Sequence, residues 1–130
     1  MAHISSPPRA DRARIRAPQI IERLDAFLCE HLDEPVHLAQ LCAATGVSER
    51  SLRNACHAMY GTSPKRYATR RRLEAVHHAL SEARPGRDTV TRIATDYGFF
   101  ELGRFAGVYT SLFGERPSET LRGGVAVSAF

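Results

Sequence analysis

The chain has 130 residues, 43% of them hydrophobic, which suits one domain or two very small helical subdomains sharing a core. Its formal charge of +4 is by itself only a weak pointer to an acidic partner. No apolar stretch is long enough to span a bilayer and the N-terminus lacks a signal-peptide pattern, so membrane and secreted classes are set aside and a cytoplasmic location is expected.

Residues 1–17 are rich in Ser, Pro, Ala and Arg and carry no apolar period; they read as a disordered arm or linker. From Pro18 the pattern turns helical, with Ile20, Ile21, Leu24, Phe27 and Leu28 in one stripe and Pro35 closing the segment. A second helix is predicted from about His37 to Ala44 and is broken at Gly46. Ser48 is placed to cap a third, with Leu52, Cys56 and Tyr60 expected on its inner face. Ser63-Pro64 opens a long fourth helix that reaches about Ala83, burying Tyr67, Leu73, Val76 and Leu80. Asp88 or Thr89 caps a fifth, ended by Gly98; the sixth starts near Glu101 with Phe105, Val108, Tyr109 and Leu112 expected inward. Pro117 opens a last short turn through Leu121. No segment alternates as a strand does, so the predicted fold is all-α with about seven helices.

Charge is unevenly spread. Residues 18–34 hold Arg23 against five acids, while residues 35–83 hold seven basic side chains against Glu49, Glu74 and Glu82. One segment would avoid phosphate and the next would seek it, although ordinary solvated helix faces carry such charges too. The cysteines Cys29, Cys42 and Cys56 are odd in number and widely spaced; buried free thiols in a reducing compartment are expected. His77-His78 and Cys56-His57 are adjacent pairs, which on a helix cannot point at one metal. No metal, cofactor or catalytic motif is found, and the protein is not read as an enzyme.

The organisation repeats: short helix, glycine turn, second helix of about three turns. One copy spans Leu38–Tyr60 and hinges at Gly46-Val47-Ser48; the other spans Val90–Phe113 and hinges at Gly98-Phe99-Phe100. Two helix-turn-helix units joined by a basic helix are far more specific than one. The chain is therefore divided into an arm (1–17), a first helix-turn-helix subdomain (18–62), a long linking helix (63–84), a second subdomain (85–122) and a tail (123–130).

On these residues the chain resembles the C-terminal DNA-binding domain of the AraC/XylS family of bacterial regulators. The first half matches through Leu38-Ala39-x-Leu41, Gly46-Val47-Ser48, Tyr60-Gly61-x-Ser63-Pro64-x-x-Tyr67 and Arg72-Leu73. The second matches through Ile93-Ala94-x-x-x-Gly98-Phe99, Gly103-Arg104-Phe105, Phe113-Gly114-Glu115-x-Pro117-Ser118 and Leu121-Arg122. Leu102-Gly103-Arg104-Phe105-Ala106 is similar to the branch of ethanolamine-operon-type activators. Cys56 and Tyr109 stand where phenylalanine is usual.

The resemblance implies sequence-specific binding of double-stranded DNA, with one recognition helix per unit in adjacent major-groove segments, and transcription regulation, by activation. It places base-facing positions on Arg50, Arg53 and Asn54 in the first unit and on Leu102, Gly103, Arg104 and Gly107 in the second. Of the latter, Arg104 would make the polar base contact and Leu102 would meet a thymine methyl or stay partly buried. More direct readout is thus expected from the first unit. Ser48, Ser63, Lys65, Arg66 and Arg116 are candidates for phosphate anchoring. Arg72 falls on a position expected to be structural and paired to an acid. RNA polymerase is an implied second partner, and an effector-binding or dimerisation domain is expected outside these residues. The rival reading is a protein-interaction module with little DNA specificity. The related DNA-repair methyl acceptors need a four-cysteine zinc site, which three separated cysteines do not supply.

Overall fold

A computed structural model describes residues 15–123; most of the expected arm, and the expected tail after Gly123, lie outside the described residues. Among the described residues seven helices follow in chain order: α1 (Ala17–Cys29), α2 (Leu38–Thr45), α3 (Glu49–Tyr60), α4 (Pro64–Glu82), α5 (Val90–Asp96), α6 (Leu102–Phe113) and α7 (Pro117–Leu121). No strand occurs among the described residues. The fold is all-α. The chain divides into two compact units, one holding the described residues up to His31 and Val36–Ala68, the other Leu32–Pro35 and the residues from Thr69 onward. Helix α4 starts in the first and continues in the second.

In the first unit α1 turns Ile20, Ile21, Leu24 and Leu28 inward. They pack with Leu41 of α2 and with Leu52, Ala55 and Cys56 of α3 into one buried cluster. The three-and-four spacing of these apolar residues lays them along one side of each helix. Polar links tie α1 to its neighbours. Arg23 Nη1 donates to the Thr45 carbonyl oxygen at 2.9 Å, placing a cation on the terminal carbonyls of α2. The Tyr67 hydroxyl donates to Asp25 Oδ1 at 2.6 Å. Tyr60 lies face to face with Tyr67, ring centroids 4.8 Å apart. It covers the core from outside rather than filling it: contrary to the expectation, Tyr60 is 46% exposed.

The second unit packs Leu73, Val76 and Leu80 of α4 against Ile93, Ala94, Phe105 and Tyr109. Thr89, not Asp88, caps α5, its Oγ1 accepting from the Arg92 amide at 3.1 Å; Asp88 instead accepts from the Arg84 amide at 3.0 Å. Val108 and Leu112, expected inward, are 42% and 38% exposed. Both lie beside the Phe105–Tyr109 stripe, and successive residues turn by about 100°, so a flank position is carried towards solvent.

Tyr109 is buried, and burying its hydroxyl requires partners. It donates to Thr120 Oγ1 at 2.7 Å, and Thr120 Oγ1 donates to Glu115 Oε2. On its other side the hydroxyl accepts from His77 Nδ1 at 2.8 Å. The His77 ring stacks on Phe113 with centroids 4.3 Å apart.

Of the three cysteines, expected as buried thiols, only Cys56 is buried; Cys42 is half-buried and Cys29 exposed. Cys29 lies about 125° around α1 from the centre of the stripe formed by Ile20, Ile21, Leu24 and Leu28, and so faces solvent. Burial, and secondarily the carboxylate of Asp25, pushes the Cys56 thiol up to about 11.

Candidate nucleic-acid interface

The first helix-turn-helix is built from its turn outward. Gly46 ends α2 with φ at +74°, a left-handed conformation in which a side chain is strained. Its amide donates to the Cys42 carbonyl at 2.8 Å. The buried Thr45 hydroxyl donates to the Leu41 carbonyl at 2.9 Å, so the last turn of α2 is satisfied from both sides. Val47 plugs into the core, and Ser48 caps α3 by accepting from the Ser51 amide at 3.1 Å.

Because Leu52, Ala55 and Cys56 fix the inward side of α3, Glu49, Arg50, Arg53 and Asn54 are turned to solvent. These four line a shallow groove. All three predicted base-facing residues are thus neighbours on one face. The side chains of Arg50 and Asn54, four apart, make no hydrogen bond or ion pair among the described residues. Arg53 is tied: its Nε and Nη2 donate to Glu49 Oε2 at 3.0 and 2.7 Å. Glu49 thus restrains Arg53, and the four-residue spacing of the two opposite charges is the sequence signal for the pair.

The second turn is built differently. Gly98 is buried, with φ at +83°, and a Cβ there would lie 2.8 Å from Arg72 Nη2 and 3.1 Å from both the Asp33 carbonyl oxygen and Pro35 Cδ. Only glycine fits. Arg72 is the reason: it is 6% exposed, Nη2 donates to the Tyr97 carbonyl at 2.8 Å, and the guanidinium sits 4.2 Å from the Phe99 ring centroid. Its Nε has no partner. The expected acid partner is therefore replaced by a carbonyl and a ring. The helix-turn-helix presents a backbone oxygen where the guanidinium arrives, and desolvation lowers its pKa.

On α6, Leu102 is half-buried against the second core. Arg104 is 84% exposed and only loosely paired to Glu101, at 3.7 Å. Gly103 and Gly107 are exposed and a Cβ on either would meet nothing within 4 Å. The predicted positions of the second unit therefore present one cation on a low, glycine-lined face. Phe100, 70% exposed beside this turn, was not singled out from the sequence.

The predicted phosphate anchors are dispersed. Ser48 and Ser63 each sit at a helix start, Ser63 Oγ accepting from the Arg66 amide at 3.2 Å. Lys65 and Arg66 are exposed in the first turn of α4. Arg116 precedes α7, its side chain 68% exposed and 3.6 Å from Glu119. The Arg70-Arg71-Arg72 run fans out as helix geometry demands: Arg70 is exposed, Arg71 half-buried and Arg72 buried. Among the described residues no group of three or more His, Cys, Asp or Glu side chains is placed to hold a metal ion. No helix among them is long and apolar enough to cross a membrane.

Comparison with known proteins bears on this geometry. Residues 41–123 match the family described as helix-turn-helix domain. The chain is 43% identical over 101 residues to the XylDLEGF operon transcriptional activator of Pseudomonas putida, a match covering 78% of this chain and 32% of that protein. It thus spans about a third of the length of that relative. A crystal structure described as a probable AraC family transcriptional regulator from Rhodopseudomonas palustris is similar at 36% identity and a TM-score of 0.70, covering 81% of this chain and 97% of that one. An AraC-type transcriptional regulator structure from Chromobacterium violaceum, 22% identical, shares the fold with a TM-score of 0.73 over 81% of this chain and 90% of its own. With matched residues running through both glycine turns, the chain belongs to the AraC/XylS family of helix-turn-helix transcription regulators, a family of DNA-binding domains and not of enzymes.

Proposed function

We propose that α3 and α6 are the two recognition helices, entering adjacent major-groove segments of one duplex. The observation that carries this reading is the outer face of α3, where Arg50 and Asn54 stand side by side, exposed and unengaged. Arg is suited to the O6/N7 edge of guanine and Asn to the N6/N7 edge of adenine. Arg53 joins them once DNA competes with Glu49 for its guanidinium.

The second unit contributes less direct readout. Arg104 supplies its polar base contact, and Leu102 has only an exposed edge to offer a thymine methyl. Gly103 and Gly107 admit close approach of the helix backbone, so phosphate contacts and DNA shape carry more of the specificity there. Ser48, Ser63, Lys65, Arg66 and Arg116 are assigned to the phosphates. Activation, with RNA polymerase as a second partner, is proposed on the strength of the relative's name as a transcriptional activator.

The test is selection of duplexes from a random DNA pool by the purified chain at low and moderate salt. Two short motifs about one helical turn apart are expected, with weaker base preference in the motif read by α6. Equally strong preferences in both would remove the asymmetry. Absence of binding even at low salt would leave a protein-interaction module in place of a DNA reader.

A further inference from the structure

The core of the second unit holds an ordered chain of hydrogen bonds that crosses three helices. His77 of α4 donates through Nδ1 to the Tyr109 hydroxyl of α6 at 2.8 Å. That hydroxyl donates to Thr120 Oγ1 of α7 at 2.7 Å, and Thr120 donates to the buried carboxylate of Glu115. The direction is fixed by proton count. A carboxylate only accepts, so Thr120 spends its proton on Glu115, Tyr109 spends its own on Thr120, and His77 must carry hydrogen on Nδ1. Every link is committed, and each of α4, α6 and α7 holds one end of a bond that lengthens if α6 rolls about its axis. Apolar packing alone is non-directional; around Tyr109 it is supplied by Phe105, Phe113 and their neighbours.

We propose that the Tyr109 hydroxyl is a positioning group: through His77 and Thr120 it sets the roll of α6 and so aims Arg104 and the Gly103–Gly107 face. For its effect on DNA the proposal rests on α6 being the second recognition helix. Tyr109 is buried and would itself touch no base.

The test uses Tyr109→Phe, Thr120→Val and Thr120→Ser in the full chain, with thermal unfolding confirming that each variant is folded. Amide NMR shifts come first. Tyr109→Phe and Thr120→Val should shift Arg104 and Gly107, both on the opposite side of α6, while Thr120→Ser, which keeps the hydroxyl, should not. Imidazole nitrogen shifts should report the Nδ1–H form of His77. On the selected duplex, Tyr109→Phe and Thr120→Val should each weaken binding about fivefold, and the double variant no more than one of them. On a duplex with the α6 motif scrambled they should bind as the parent does. Unchanged Arg104 and Gly107 amides in Tyr109→Phe would overturn the positioning role. If those amides shift but the parent does not distinguish the scrambled duplex, the positioning stands and α6 is not a reader.

Discussion

Arg72 and Gly98 define each other: the guanidinium that holds the Tyr97 carbonyl lies where any Cβ on residue 98 would stand, 2.8 Å from Nη2. Gly98→Ala therefore has to accept a left-handed alanine and also displace a buried arginine, a cost of about 3 kcal/mol. Gly46→Ala at the first turn meets only Arg23 Nη1 at an ordinary 3.6 Å and pays the backbone term of about 1 kcal/mol. Urea unfolding of the two variants measures the difference; equal losses would mean that Arg72 moves aside freely.

Removing the guanidinium should be costly in its own right. Arg72→Ala loses the bond to Tyr97 and the stack on Phe99 and opens a cavity, so a loss of about 3 kcal/mol is expected. Arg72→Lys keeps charge but not the flat stack, and should recover only part of it. Full recovery by lysine in the same unfolding assay would show that charge alone matters there.

Reactivity separates the thiols. The Cys56 thiol is raised from 9.0 to about 11 by burial and then by Asp25. An alkylating reagent at about pH 8 should label exposed Cys29 first and Cys56 only on unfolding. The folded state holds the Cys56 proton more tightly than the unfolded one, so stability falls as pH rises from about 9 to about 11. Cys56→Ala should make that alkaline decline shallower, as followed by denaturant midpoints across this range.

On the outer face of α3, Arg50→Ala and Asn54→Ala should each cost about 1–3 kcal/mol of discrimination at one base position and leave unfolding unchanged, because neither side chain is used by the fold. Glu49→Gln should act in the opposite sense. Freeing Arg53 is expected to strengthen binding to the selected duplex and the preference at the base position Arg53 reaches. Titrations of the selected duplex and of one changed at that position decide this, and unchanged discrimination would show that Arg53 stays off the bases.

The turns and the core stripes were legible in the sequence because Gly46 and Gly98, Ser48 and the periodic leucines are local signals. Exposure at the edges of a stripe was not. Tyr60, Val108 and Leu112 are apolar and close to the right phase, and only the partner helices decide where a core stops. The exposed face of α3 that carries Arg50, Arg53 and Asn54 was legible, but the Glu49–Arg53 pair on it was not. In the sequence Tyr109 stands where phenylalanine is usual. Its partners lie 32 positions back at His77 and 11 ahead at Thr120, separations at which no sequence period reports contact. Arg72 was seen as structural, yet its partner is a backbone oxygen, which carries no side-chain signature.

The bare side of α6 makes this helix unusually open to redesign. Side chains added at Gly103 and Gly107 meet nothing within 4 Å, so they require no repacking of the second core. Each replacement of glycine by a better helix former should also stabilise α6 by up to about 1 kcal/mol. A library confined to these two codons would therefore test whether α6 reads bases as proposed, on a scaffold that gains stability as it gains side chains.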